Sequence, residues 1–409
     1  MPVGILVFYT SAYELGNLVT AFDKYQEKHL AYNMLFRMPL LERYIFKKFP
    51  PVMHQSLREL FTKKTYLSKK IINILLNGGE TSLKKDYLTS YPYSLVLDPT
   101  NICNLKCPLC PTWQDINARP KGRMDIHTFR KILDEIGPYL FTINLCNWGE
   151  PFLNPDLPQM IEYAKRFNII VGLSTNLNHL PDDAAEKTIN AGVDIIVMSL
   201  DGITQGTYLK YRQGGDLQKV FANIEKLNYY KNKAGKKPLL IWQFLVNKYN
   251  ETELENAKEI AKKMGLQFQP SPMRSSMGKE LILPLYQRVQ EMVDWFPRNP
   301  EYRKYPLDIK PGTKTNQQTC KWLWNSIVIN WDGSVSPCCG IFEKKWDFIN
   351  LYQKASTLHQ AWNSPHYRLA RKLVSAYLKK SNKLPELINK AEDEGLICRN
   401  CIKYGFLED

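Results

Sequence analysis

Residues 101–110 read Asn101-Ile102-Cys103-Asn104-Leu105-Lys106-Cys107-Pro108-Leu109-Cys110. Three cysteines spaced by three residues and then two can wrap one face of a cubic iron–sulfur cluster. They leave one iron without a protein ligand, able to bind and polarise a small molecule. Three thiolates and a water also make a zinc shell, and thiols without metal are a third option, so the spacing alone leaves the metal open. What lies around the stretch decides the fold. Just upstream, Ser94–Leu97 is a short apolar run that reads as a strand, which places the cysteines beyond its C-terminal end.

Outward from there, strand and helix signals alternate. Phe141–Cys146, Ile169–Leu173, Asp194–Leu200, Leu239–Val246 and, weakly, Leu266–Gln269 are further candidate strands. Between them Asp125–Ile136 carries Ile126, Phe129, Ile132 and Leu133 on one face, and Asp216–Tyr229 carries Leu217, Val220, Ile224 and Leu227 at spacings of three and four. Thr252–Met264 is similar. Such alternation means a parallel sheet with covering helices. Six units predict an α/β fold, a partial (βα)6 barrel of the TIM type over 91–270, with its chemistry at the C-terminal strand ends. A helical region, 1–90, precedes it. A linker, 271–316, with one helix near Leu285–Trp295, follows, and a small α+β domain, 317–409, closes the chain.

Three cysteines in this spacing after the first strand of a partial barrel resemble the radical S-adenosylmethionine (SAM) superfamily, over roughly residues 92–270. Asn147-Trp148-Gly149-Glu150-Pro151, after the second strand, is similar to that family's GGEP motif, with Trp148 in place of the usual first glycine. The resemblance implies that Cys103, Cys107 and Cys110 hold a [4Fe–4S] cluster whose open iron chelates SAM. It implies that Gly149, Glu150 and Pro151 lie along the methionine part, with Glu150 a partner for its ammonium. Ser174 and Asn176 end the third strand, and Ser199 and Asp201 the fourth; in the family such positions reach the ribose or the carboxylate. Arg212 resembles an arginine that pairs with the SAM carboxylate, which suits a planar guanidinium. Gln243 on the fifth strand is a further polar contact. Leu109 stands where an aromatic residue often touches the adenine, and it still offers an apolar surface. The implied reaction is reductive cleavage of SAM to a 5′-deoxyadenosyl radical that abstracts hydrogen from an unactivated C–H bond. Read without the resemblance, Gly149 and Gly202 would be tight turns, Ser199 and Asp201 helix N-caps, and Arg212 a surface charge.

The second cysteine group is Cys320, Cys338, Cys398 and Cys401. The hairpin signal Trp331-Asp332-Gly333-Ser334 lies between the first two, with Ile327–Asn330 and Val335–Cys338 as its arms. This half resembles the opening of the SPASM auxiliary-cluster domain. With four ligands it matches the shortened, Twitch-like form, which implies one auxiliary [4Fe–4S] cluster; a structural zinc site is the rival. Cys339 is a candidate catalytic residue as acid, base or hydrogen-atom donor, or else an alternative ligand or inert. Cys146 is either a buried small hydrophobe or a pocket-lining thiol. Four auxiliary ligands favour an oxidation, with epimerisation the redox-neutral option, on a sugar, lipid-linked or natural-product substrate. Peptide modification is the alternative.

Composition narrows the partners less. The 409 residues are 44% hydrophobic and 23% charged, ordinary for a globular protein and against disorder. The formal net charge of +15 suggests an anionic substrate. Nine cysteines, no spanning apolar run and no signal peptide predict a cytoplasmic protein that binds metal rather than forming disulfides. Residues 1–90 carry a net of +6. A helix over Ser56–Leu76, ended by Gly78-Gly79, reads either as packed on the main domain or as a basic face for peripheral contact with an anionic membrane. An electron donor such as flavodoxin or ferredoxin is implied by the resemblance. No ribonucleoprotein motif or zinc-finger helix is present, so nucleic acid is not an expected partner, although a metal-binding nucleic-acid module is the reading from another class.

Overall fold

The computed structural model describes residues 39–63, 65–114, 117–235, 238–273, 287, 292–303, 320–353 and 357–404. The chain divides into two compact units, 1–64 and 65–409. In the first, helices Pro39–Phe46 and His54–Thr62 flank Pro50 and a short 3-10 turn, Pro51–Met53. Leu57 and Leu60 are buried there, and the Phe46 ring packs on Phe61 and His54.

The expected helix over Ser56–Leu76 is two helices. Lys63 is extended and Tyr66 left-handed, and the next helix then runs Leu67–Ser82, straight through Gly78-Gly79. Its polar side chains explain why the glycines do not end it. Asn73 pairs with the Tyr91 backbone, Asn77 donates to the Trp324 carbonyl, and Glu80 accepts from Thr89 and Ser90. Lys70, one of the lysines in that stretch, is fully buried and donates to the Gly137 and Leu140 carbonyls.

The second unit is built on one sheet. β1 (Ser94–Leu97), β2 (Thr142–Asn144), β3 (Ile170–Thr175), β4 (Ile195–Ser199), β5 (Leu239–Val246) and β6 (Gln267–Pro272) are parallel neighbours in sequential order, the order of an open barrel. One sheet face is apolar. Leu95, Leu97, Ile143, Leu173, Ile196, Met198, Trp242 and Phe244 are buried under the helices. Helix Ile126–Ile136 starts on Asp125, whose carboxylate accepts from the Thr128 N–H at 2.9 Å. It sinks Phe129, Ile132, Leu133 and Ile136 into the core, a gross gain of roughly 6–12 kcal/mol before chain entropy is subtracted. Helix Leu217–Lys233 repeats this with Asp216 as its cap. Alternate strand residues face the barrel interior and are the polar ones at its mouth.

The C-terminal region is not a separate sheet. β7 (Ser326–Ile329) pairs in parallel with β1, Ser94 opposite Ser326, and β8 (Ser334–Ser336) and β9 (Ile349–Asn350) follow antiparallel. The predicted hairpin is present, and Gly333 takes φ +75° at its turn. Its second arm ends at Ser336 rather than Cys338, so Cys338 and Cys339 lie in the bend beyond the strand. Helices Leu358–Trp362, Pro365–Leu378, Leu384–Asp393 and Cys398–Lys403 complete the region. The helix expected near Leu285–Trp295 falls largely outside the described residues. No described helix is long and apolar enough to cross a membrane.

Candidate functional site

The three-cysteine loop is held by backbone at its start and at its middle. Glu150 N–H donates to the Ile102 carbonyl at 2.8 Å, and Lys106 N–H to the Gln213 carbonyl at 2.9 Å. Gly149 is where the β2 loop crosses it. A Cβ there would stand 1.9 Å from the Thr100 carbonyl oxygen, so only glycine allows the approach. The three thiols feel one another electrostatically, and burial pushes Cys103 up to about 12 and Cys107 up to about 11. Two nitrogen donors already point at the sulfurs. Asn176 Nδ2 lies 3.7 Å from Cys103 Sγ, and Arg212 Nη1 3.8 Å from Cys107 Sγ. Buried thiols of raised pKa with cationic and amide donors at their sulfurs fit a group that binds them as thiolates, because the metal takes the proton's place. Among the described residues no three His, Cys, Asp or Glu side chains are drawn together as a single-ion site requires.

The strand-end residues divide into two sets. Glu150 is fully buried and both oxygens are engaged: Thr175 Oγ1 and the Phe152 N–H donate to one, the Asn176 N–H to the other. Burial pushes its carboxyl up to about 7. Its position makes it the clasp of the β3 end, aiming Asn176 at Cys103. Pro151 opens the 3-10 turn that follows, where the missing N–H costs nothing. Asp201 is fully buried; it accepts from Arg212 Nε at 2.6 Å and from the Leu245 N–H at 2.7 Å, and is not a helix cap. Thr204 caps helix Gln205–Tyr211 instead. Arg212 therefore bridges a carboxylate and a cysteine sulfur. Ser174, Ser199 and Gln243 are half-buried on the barrel's inner face, and in register Ser199, Gln243 and Gln269 stand side by side across β4, β5 and β6.

Sequence reasoning missed Asp98, one residue past β1. It is fully buried, accepts from the Asn147 and Trp148 N–H groups at 2.6 and 2.9 Å, and burial pushes it up to about 7. Its second oxygen, Asn147 Nδ2 and Trp148 Nε1 are buried without hydrogen-bond partners. An aspartate closing an apolar strand was the available signal. Trp148, in place of the family glycine, packs edge-on against Phe342 with ring centroids 5.4 Å apart. Lys121 Nζ lies 5.6 Å from the Phe342 centroid, and within electrostatic reach of Cys103, Cys110 and Asp98. Leu109 is buried and Cys146 half-buried, its thiol pushed well up by burial.

Arg119 joins this mouth to the C-terminal region. Its fully buried guanidinium holds Asp347 through two 2.7 Å contacts, and donates to Ser334 Oγ and the Phe342 carbonyl. Beyond that lock lies the second cysteine group. Cys338 interacts with Cys339, Cys401 and Cys320, and Cys398 with Cys320 and Cys338. The N–H groups of Trp322 and Leu323 point at Cys320. The fold thus brings the three segments that carry Cys320, Cys338 and the pair Cys398 and Cys401 into one region, where Cys398 is buried and the others, with Cys339, are half-buried.

Comparison with known proteins follows the same division. Residues 97–269 match the model of the radical SAM superfamily, and residues 320–402 that of the SPASM iron–sulfur cluster-binding domain. The chain is 28% identical over 320 residues to a tungsten-containing aldehyde ferredoxin oxidoreductase cofactor-modifying protein of Pyrococcus furiosus, covering 69% of this chain and 84% of the relative. It is 24% identical over 304 residues to a GTP 3′,8-cyclase of Clostridium botulinum, covering 70% and 93%. Among solved structures, Streptococcus suis SuiB bound to S-adenosylmethionine superposes with a TM-score of 0.52 at 16% identity, over 75% of this chain and 73% of that one, a likeness of fold.

Proposed function

The chain belongs to the radical SAM superfamily and carries a C-terminal SPASM iron–sulfur domain, and from that premise we propose that it oxidises an unactivated C–H bond of a small polar substrate. When bound, SAM and its cluster supply a 5′-deoxyadenosyl radical that takes a hydrogen atom, and the auxiliary cluster supplies an acceptor for the electron left behind. In this reading Cys103, Cys107 and Cys110 hold the first cluster. Gly149, Pro151, Ser174, Asn176, Ser199, Asp201, Arg212 and Gln243 shape the SAM site. Glu150 acts through the β3 end that it fixes. Arg212 keeps one guanidinium edge on Asp201 and the other towards the site, so its charge is held in place before a carboxylate arrives.

What supports the oxidative assignment is that Cys320, Cys338, Cys398 and Cys401 all fall within residues 320–402, the stretch that matches the SPASM iron–sulfur cluster-binding domain. Four protein ligands complete one [4Fe–4S] cluster and leave no iron for substrate, which suits electron transfer better than ligation. Cys339 stands next to that set as the thiol for proton or hydrogen-atom transfer to the substrate. Two donors and one acceptor without partners, on Asn147, Trp148 and Asp98, favour a substrate bearing hydroxyl or amide groups. Relatives named for GTP and for a cofactor support a small molecule over a peptide. Sugar, lipid-linked and natural-product substrates fit this chemistry, and a flavodoxin or ferredoxin is the natural reductant.

The test is anaerobic. The purified protein should bind about eight irons, and with dithionite and SAM should release 5′-deoxyadenosine. The triple substitution C103A/C107A/C110A should lose about half the iron and all of the product. A wild-type protein with its full iron that releases no 5′-deoxyadenosine would refute the proposal.

A further inference from the structure

Two helices of the second unit end close together, and both end in lysine. Helix Leu67–Ser82 closes on Lys84, at φ +54°, and helix Pro365–Leu378 on Lys380, at φ +49°. Left-handed closing positions suit glycine, which fills them without the steric cost that lysine meets. The negative end of a helix attracts cations, so the dipole accounts for part of the choice. It does not account for how many cations gather. Burial, and then the like charge of Lys379, lower Lys84, while Arg368 and Lys372 both reach the carboxylate of Asp86, at 3.2 and 3.5 Å. Even with Lys84 left out, Lys85, Arg368, Lys372, Lys379 and Lys380 stand against Asp86 and two helix ends of about half a charge each. About three positive charges are left over.

Apolar side chains protrude among them. Leu83 is 66% exposed and Tyr87 47%, and Arg368 Cζ lies 5.8 Å from the Tyr87 ring centroid. The face is fixed from beneath. Arg371, fully buried on helix Pro365–Leu378, donates to the Leu323 and Trp362 carbonyls and, at 3.0 Å, to the Asp86 carbonyl, so it pins the 83–87 corner to the helix.

The composition of the face selects its partner. Its cations are mostly lysines, compact hydrated charges on long stems, whereas protein interfaces are depleted in lysine and enriched in arginine. The one arginine already holds Asp86. An anionic lipid surface is a diffuse field that attracts each lysine separately, and its interface takes up an exposed leucine and tyrosine.

We propose that the face formed by Leu83, Lys85, Tyr87, Lys372, Lys379 and Lys380 docks on an anionic phospholipid surface. None of these residues belongs to the Ser56–Leu76 stretch that the sequence offers for such contact, and docking requires neither cluster.

The experiment is flotation of anaerobic holoprotein with vesicles of phosphatidylcholine alone, and of equal parts phosphatidylcholine and phosphatidylglycerol. Binding should require the anionic lipid and weaken as salt rises. One lysine near such a surface contributes a factor of about five, so Lys379→Gln/Lys380→Gln should weaken partitioning about 25-fold. Lys262→Gln/Lys263→Gln, exposed on helix Leu254–Lys263, removes the same net charge and should leave binding within about twofold of wild type. Lys380→Gly removes one charge but relieves the left-handed backbone. It should bind about fivefold more weakly and unfold at no lower temperature, whereas a lysine that served only the helix end would leave binding unchanged. Failure of the wild type to float with anionic vesicles, unchanged flotation of Lys379→Gln/Lys380→Gln, or equal loss in both double variants overturns the proposal. Capture by soluble polyglutamate with vesicles ignored also overturns it, and gives the face to an acidic protein instead.

Discussion

Breaking the Arg119–Asp347 lock should be the most damaging single change outside the cysteines. The guanidinium is fully buried, and the Asp347 side chain is only 7% exposed. Arg119→Met keeps the apolar stem but strips Asp347 of both 2.7 Å contacts, leaving its carboxylate with the Ser336 hydroxyl alone. The Phe342 carbonyl and Ser334 Oγ lose a donor as well. Removing one partner of a buried pair costs about 3–5 kcal/mol, chiefly because the other charge stays buried. With a slope of about 3 kcal/mol per molar urea, the unfolding midpoint should fall by more than about 1 M. The assay is urea unfolding of anaerobic holoprotein, followed by tryptophan fluorescence and far-UV circular dichroism, on both single variants and on Arg119→Met/Asp347→Leu. Because the double variant removes the stranded charge, it should recover about 2 kcal/mol or more relative to the sum of the singles. Additive losses, or a single variant within about 0.2 M of wild type, would refute the argument.

Gly149→Ala should displace the three-cysteine loop, since its Cβ would meet backbone oxygen that cannot swing aside; iron analysis should show loss of about four irons while the C-terminal cluster's spectrum persists. Glu150 gives a pH signature. Burial lifts its folded pKa from the ordinary 4.5 to about 7, so the folded protein holds a proton that the unfolded chain has released, and stability falls as pH rises through that window. Urea midpoints of Glu150→Gln between pH 5 and 7 should lose that part of the slope, at a baseline cost of ~1–3 kcal/mol because the amide meets the Asn176 N–H. Asp98, displaced the same way, should keep the remainder.

The sequence spoke clearly where one period ruled a whole element. Ser94–Leu97 and Leu239–Val246 match their strands end to end, and Asp125 and Asp216 cap the helices that their positions announce. It spoke less clearly where distant segments decide. Gly78-Gly79 signalled an end, but Asn77 and Glu80 find partners on Trp324 and on residues 89–90, and the helix continues. Nothing local marks Lys70 for burial, and only the fold supplies the carbonyls that bury it. Glu150 and Arg212 stood out by motif, yet their partners Thr175, Asn176 and Asp201 come from other strands. Arg119, Phe342 and Arg371 carried no local pattern, because their significance lies wholly in what they meet.

The parallel pairing of β1 with β7 has a consequence for the ribosome. Ser94 and Ser326 are joined across more than half the chain, so β1 is made long before its neighbour exists. At roughly 5–20 residues per second, the nascent barrel waits on the order of 10–50 s with that margin bare. An unpaired strand margin invites pairing with other chains. The first cysteine loop hangs from this margin, so β7 both completes the sheet and ends the interval in which those thiols sit beside an open edge. Slow synthesis or scarce iron should make aggregation, rather than lost activity, the first symptom of failure.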